Sequence, residues 1–246
     1  MKGIINYHNL TQFAYSNDKL CAHPIQGIVL SFAGLGWQEM YSEESKTGQY
    51  YAKHGIVYLV PYNNPWAWMN RQAVSYTDEI VDVIMSHYKL SQTIPMVSTG
   101  GSMGGQSALV YMLYAKHTPI ACVANCPVCD VVYHYTERHD LPRTLYSACY
   151  SYDGTLEEAL RSVSPIHLSD NMPDSSYYIF HCEEDKAVSK EKHSDLFVEQ
   201  LSKHHMVTYH IIPGRGHCDL PEPMKDLFKH YVLESINRWY ENERNA

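Results

Sequence analysis

The 246-residue sequence has no excess of positive charge: 19 Lys and Arg stand against 27 Asp and Glu, a formal net charge of -8. With no basic stripe to offset phosphate charge, a nucleic-acid backbone is not an expected partner. No window approaches the roughly 18 consecutive apolar residues of a membrane span, and the opening Met-Lys-Gly-Ile-Ile-Asn-Tyr-His-Asn carries no apolar core of signal-peptide length. A cytoplasmic protein without a membrane partner is therefore expected. The seven cysteines, Cys21, Cys122, Cys126, Cys129, Cys149, Cys182 and Cys218, show no framework spacing, which argues for free thiols in a reducing compartment. Cys122, Cys126 and Cys129 are close enough to suggest a metal, but no clear fourth ligand stands nearby, so they read as small buried thiols. Internal repeats, low-complexity tracts and linkers are also missing. A hydrophobic share of 45% and a charged share of 19% are ordinary for a globular chain. One α/β domain over 1–246 is the expected organisation.

What the chain does have is a strand and helix alternation. Gly27–Phe32 and Gly55–Pro61 are apolar runs of strand length, of the kind buried on both faces of a parallel sheet. A polar helical segment, about 42–54, lies between them. Further strands are predicted at Ile94–Thr99, Ile120–Ala124, Tyr177–His181 and Val207–Ile212, with helices near 76–87, 106–114, 190–203 and 224–239. Gly3–Tyr7 and Gln12–Tyr15 read as two short strands of an antiparallel edge. The long stretch 127–174, where Tyr133, Tyr135, Tyr146, Tyr150 and Tyr152 are interleaved with charges and no long strand appears, reads as an inserted lid or small helical cap. The loop Tyr62–Asn70 is too rich in Asn, Pro and Trp for regular structure; its tryptophans either pin it to the core or face a substrate.

The sharpest local feature is Ile94-Pro-Met-Val-Ser-Thr-Gly100-Gly101-Ser102-Met103-Gly104-Gly105: a strand, a tight turn and a helix, with a serine at the turn. Glycines permit a backbone crowding that Cβ atoms would block, so Ser102 can stand clear above a helix N-terminus. A phosphate-binding turn is the rival reading, but no Lys-Ser or Lys-Thr follows and the G-x-G-x-x-G spacing is absent.

A serine needs a base, and the base needs an orienting carboxylate. Active groups of a parallel sheet gather at the carboxyl ends of its strands. His217, in Pro213-Gly214-Arg215-Gly216-His217 directly after the last strand, meets that condition, and so does Asp185, in His181-Cys182-Glu183-Glu184-Asp185. His181 and His210 fall within strands and read as core or edge residues. Asp130 follows another strand and is the rival acid. The backbone N–H of Met103, with one from Gly34 or Leu35, is the candidate oxyanion hole. Trp37, Trp66, Trp68, Tyr133 and Tyr146 are the candidate pocket residues, and their character hints at an apolar or aromatic substrate.

Taken together, Gly100–Gly105, His181–Val188 and Gly214–His217 resemble the three catalytic segments of α/β-hydrolases of the prolyl-oligopeptidase-related and small-esterase branch, across about residues 25–240. The resemblance implies an α/β-hydrolase fold: a mostly parallel central sheet, helices on both faces and an inserted lid. It also implies serine acyl-enzyme chemistry with neither metal nor organic cofactor. One departure bears on substrate. Peptidases of that branch place a Tyr after the third strand to help hold the oxyanion, whereas this chain has Phe32 in Phe32-Ala33-Gly34-Leu35. A small ester therefore ranks above a short peptide as the expected substrate.

Overall fold

The computed structural model describes residues 3–245. Seven strands form one sheet: β1 (Ala14–Ser16), β2 (Gly27–Phe32), β3 (Ile56–Pro61), β4 (Met96–Gly101), β5 (Ala121–Asn125), β6 (Ser176–Cys182) and β7 (Met206–Ile212). Their spatial order is β1-β3-β2-β4-β5-β6-β7. β1 runs antiparallel to β3, and every other neighbouring pair is parallel. The helices between strands are α1 (Lys46–Ala52), α2 (Arg71–Tyr88), α3 (Met103–Tyr114), four short helices α4 (Val131–Glu137), α5 (Pro142–Cys149), α6 (Leu156–Arg161) and α7 (Pro165–Leu168), then α8 (Ser194–Leu201) and the terminal α9 (Glu222–Asn245).

Strand side chains alternate between faces, and the core divides accordingly. Ile28, Leu30 and Phe32 of β2 pack with Ile80, Ile84, Leu109 and Phe197, so α2, α3 and α8 cover one face. Val29 joins Tyr51, Val232 and Ile236, so α1 and α9 cover the other. Both faces of the central strands are dry, which is why their sequences read as unbroken apolar runs.

One sequence expectation changes. Residues 3–7 form no strand, and of the second candidate only Ala14 and Tyr15 pair, joined by Ser16, giving a single antiparallel edge strand. The stretch 127–174 is helical. Its helices α4 to α7 close a small core of their own, in which Val131, Leu141, Leu145 and Leu160 pack with Trp68. These helices have four to eight residues each, too short to show a persistent 3.6-residue period in sequence.

Candidate active site

Ser102 sits at the junction of β4 and α3 with φ 59° and ψ -126°, a left-handed conformation costly for a residue with a Cβ. The surroundings hold it there. Ser102 N–H donates to Asn125 O at 2.9 Å, and Ser102 O accepts from Gln106 N–H at 3.0 Å and from Val128 N–H at 3.4 Å. The glycines around it are required by contact. A Cβ at Gly100 would overlap the Gly104 carbonyl, and one at Gly104 would overlap the Phe32 carbonyl and lie 2.9 Å from Ala33 O. Close approach of β2 to α3 brings the Gly34 loop beside the first turn of α3, whose leading N–H belongs to Met103.

On the loop after β6, the Asp185 side chain is fully buried, with Oδ1 accepting from Ala187 N–H at 2.9 Å and Val188 N–H at 3.0 Å. Its Oδ2 meets His217 Nδ1 at 2.6 Å. Burial by itself would raise the Asp185 pKa, but hydrogen bonds from His181, His217 and the Val188 N–H hold the carboxyl well below the usual range. Burial pushes the His217 ring down, yet its bonds to Asp185 and Cys126 prevail and lift it to about 9. The acid and histidine loops brace one another: Glu183 N–H donates to Ile212 O and Glu184 N–H to Arg215 O, each at 2.9 Å.

One carbonyl ties the serine to the histidine loop. Asn125 O accepts Ser102 N–H at 2.9 Å and lies 3.7 Å from Cys218 Sγ, while Asn125 Nδ2 donates to Cys218 O at 3.2 Å. His217 Nε2 faces Cys218 Sγ at 3.8 Å; among the described residues no hydrogen bond joins it to Ser102 Oγ. Unliganded sites of this kind often tighten only around substrate.

The other candidates separate clearly. Asp130 caps α4, its Oδ1 accepting from Tyr133 N–H at 2.9 Å, and has no bond to His217. His181 is buried, with Nδ1 facing the Ser194 hydroxyl and Nε2 placed between Val188 O at 3.1 Å and Asp185 Oδ2 at 3.4 Å, and His210 of β7 meets the hydroxyl of Tyr231 in α9. Trp37 and Trp66 line a cavity of about 530 Å³ beside Gly34 and Met103, together with Glu39 and Met40. Trp68 does not face it. Its side chain is 0% exposed and its Nε1–H donates to Thr144 Oγ1 at 3.1 Å, so it pins the loop to the helical segment. Tyr133 turns away toward Lys192 and His193, and Tyr146 is exposed against Tyr150. The pocket expectation fails for these three because an aromatic loop residue serves equally as core, rim or lining.

Cys122, Cys126 and Cys129 are buried as expected. Cys126 also reaches the site, accepting N–H bonds from Cys182 and Cys218 at 3.4 Å each. Sequence reasoning missed Asn125, Cys126 and Cys218, although Asn125 and Cys126 follow the strand-end rule that selected Asp185 and His217. A second histidine and carboxylate group, His134, Glu137 and His193, joins α4 to the approach to α8. His193 Nδ1 accepts from Cys129 N–H and Asp130 N–H, so its proton sits on Nε2, donated to Glu137 Oε2 at 3.1 Å, and no lone pair faces a metal.

The strand order and the elbow define an α/β-hydrolase. The sequence profile of the prolyl oligopeptidase family matches residues 45–245, and the chain belongs to that family of serine hydrolases. A comparison with curated proteins finds no match. Among solved structures, esterase B from Lactobacillus Rhamnosis is similar at TM-score 0.68 and 12% identity, over 92% of this chain and 81% of that one. An S-formylglutathione hydrolase from Agrobacterium tumefaciens is similar at TM-score 0.66 and 16% identity, over 88% and 85%. A puromycin-hydrolysing peptidase from Mycobacterium tuberculosis is similar at TM-score 0.64 and 15% identity, over 80% of this chain but only 31% of that one. This chain thus spans about a third of the puromycin hydrolases it matches. No helix among the described residues is long and apolar enough to cross a membrane.

Proposed function

We propose that the chain cleaves small carboxylic esters through an acyl-enzyme on Ser102. His217 removes the serine proton as Oγ attacks the ester carbonyl, and later returns it to the leaving alcohol. Asp185 keeps the proton of the neutral ring on Nδ1, the form whose share grows as pH rises toward the lifted His217 pKa, and favours the imidazolium that forms. The N–H groups of Met103 and of Gly34 or Leu35 receive the oxyanion, each worth about 10²–10³ in rate. The helices between β5 and β6 act as a lid, and the cavity beside Trp37 and Trp66 takes the apolar part of the substrate.

The observation that carries this reading is the 2.6 Å Asp185–His217 bond held beside a serine whose strained backbone is fixed by the strand next to it. The preference for esters rests on Phe32. Its ring is buried against Tyr111 at 5.5 Å between centroids and offers no hydroxyl to an oxyanion. Glu39 supports a second reading, a peptidase acting on short peptides or aminoacyl derivatives, because it lines the same cavity and could receive a substrate ammonium. It is exposed and makes no hydrogen bond among the described residues, which ranks this reading second.

Hydrolysis of p-nitrophenyl acetate and of aminoacyl p-nitroanilides by the wild-type chain and by Ser102→Ala tests both readings. The ester is expected to turn over faster than the anilides, and Ser102→Ala to lose about 10⁶-fold in kcat. A Ser102→Ala rate equal to wild type sinks the serine assignment, and anilides preferred over esters would replace the ester reading with the peptidase one.

A further inference from the structure

Three side chains from the ends of β5 and β7 meet beside the proposed base. Cys126 Sγ, Cys218 Sγ and a ring nitrogen of His217 all lie within 4.8 Å of one another. His217 Nδ1 is committed to Asp185 Oδ2, which leaves Nε2 as the nitrogen facing Cys218 Sγ at 3.8 Å. A tetrahedral zinc with Zn–S about 2.3 Å and Zn–N about 2.0–2.1 Å has S···N edges of roughly 3.6 Å and S···S edges of roughly 3.8 Å. The observed spacing is already near the first of these.

The surroundings suit a soft cation. A carboxylate on the far nitrogen of a histidine is the arrangement that orients a metal-ligating imidazole and raises its basicity. Two thiols and an imidazole select zinc over magnesium or calcium. Asn125, which is 8% exposed and bonds the Cys218 carbonyl through Nδ2, leaves its own Oδ1 buried and without a partner, an acceptor for a water on such a metal. The His217 side chain is 28% exposed and Cys218 is half-buried, so the group has a path to solvent.

We propose that Cys126, Cys218 and His217 form a zinc site whose occupation takes His217 Nε2 away from Ser102 and switches the enzyme off. Binding displaces to solvent the two thiol protons and, where the ring is protonated, the proton of His217 Nε2, and it changes no oxidation state. The inhibition rests on the role proposed for His217; the site itself does not.

Cobalt titration of chelator-stripped protein tests the site by spectrum. One equivalent of Co²⁺ is expected to give a thiolate-to-cobalt charge-transfer band with tetrahedral visible bands, in wild type and in Ser102→Ala alike, and Zn²⁺ is expected to bleach it. Cys218→Ser should weaken cobalt binding by roughly tenfold or more, since losing a ligand exceeds the effect of losing its outer partner. Cys149→Ser, in the helical segment, should bind as wild type. Ester hydrolysis should fall in step with zinc occupancy and return with EDTA, each variant compared with its own chelator-treated rate. Absence of the band, a band that survives Cys218→Ser unchanged, or a zinc-loaded enzyme working at full rate would overturn the proposal. A protein that shows the band but hydrolyses no ester with chelator present refutes the ester reading and leaves the site standing.

Discussion

Asp185→Asn is the perturbation that bears most directly on the proposed triad, and the structure fixes what the amide does. Asp185 Oδ1 already accepts two backbone N–H groups, from Ala187 and Val188. An asparagine keeps its oxygen on those donors, because turning the amide would set N–H groups against N–H groups. Its NH₂ then occupies the place of Oδ2 and points at His217 Nδ1, where the carboxylate had accepted at 2.6 Å. The ring answers by moving its proton to Nε2, and the nitrogen that must take the serine proton no longer has a lone pair. A tautomer error of this kind costs about 10⁴ in kcat, or about 5.4 kcal/mol at 1.36 kcal/mol per factor of ten. Asp130→Asn is the matched control, since Asn caps a helix as well as Asp and the α4 cap should survive. Initial rates on p-nitrophenyl acetate, with circular dichroism to show that both variants fold, make the comparison. Asp185→Asn with more than a tenth of wild-type kcat, or Asp130→Asn with an equal loss, would refute the reasoning.

Three further outcomes follow from packing and charge. Gly104→Ala should lose about 3 kcal/mol or more of unfolding free energy in urea, because its Cβ overlaps the Phe32 carbonyl and backbone cannot yield as a flexible side chain does; a midpoint unchanged from wild type would deny the close approach. Trp68→Ala should cost about 3–5 kcal/mol of stability, as expected of a buried anchor, while the folded fraction keeps its KM for a small ester; a large KM change without destabilisation would restore Trp68 to the pocket. Glu137→Gln should cost about 1.5–3 kcal/mol at pH 7, because burial raises the Glu137 pKa but the bonds from His134 and His193 outweigh it and leave the carboxyl depressed. A depressed carboxyl contributes stability above its unfolded value of about 4.3 and loses it as pH falls, so the gap from wild type should shrink between urea titrations at pH 7 and pH 3; a constant gap would contradict this.

The parallel sheet was legible because its central strands are buried on both faces and left apolar runs within two residues of their observed bounds; the half-buried edge strand β7 left a similar run. The catalytic candidates were legible through one rule, that chemistry gathers where parallel strands end, applied to Ser102, Asp185 and His217. The rule was applied too narrowly. Asn125 and Cys126 also stand at a strand end, but a short apolar run closing in Asn-Cys-Pro carries no catalytic pattern, and their meeting with Cys218 depends on a register between β5, β6 and β7 that no local period encodes. Residues 127–174 were legible only as a cap, without the bounds of its helices, for a different reason. Their helices are each stabilised by a shared small core and by contact with Trp68, so the information lies in long-range packing rather than in any window of the sequence.

Chemistry and recognition are anchored differently in this molecule. Ser102 is tied to Asn125, the histidine loop to Asn125 and to the acid loop, and Asp185 to the backbone of Ala187 and Val188, so the proposed reacting groups inherit the rigidity of the sheet. Trp37, Glu39, Met40 and Trp66 stand instead on loops after β2 and β3, and Trp66 and Met40 are exposed. A change among these cavity residues alters how much apolar surface the substrate can bury without disturbing a strand-end hydrogen bond. On the proposed function, the same elbow can therefore serve different esters, or aminoacyl substrates, at little cost in stability, whereas any change that shifts the end of β5 moves the proposed nucleophile and base together.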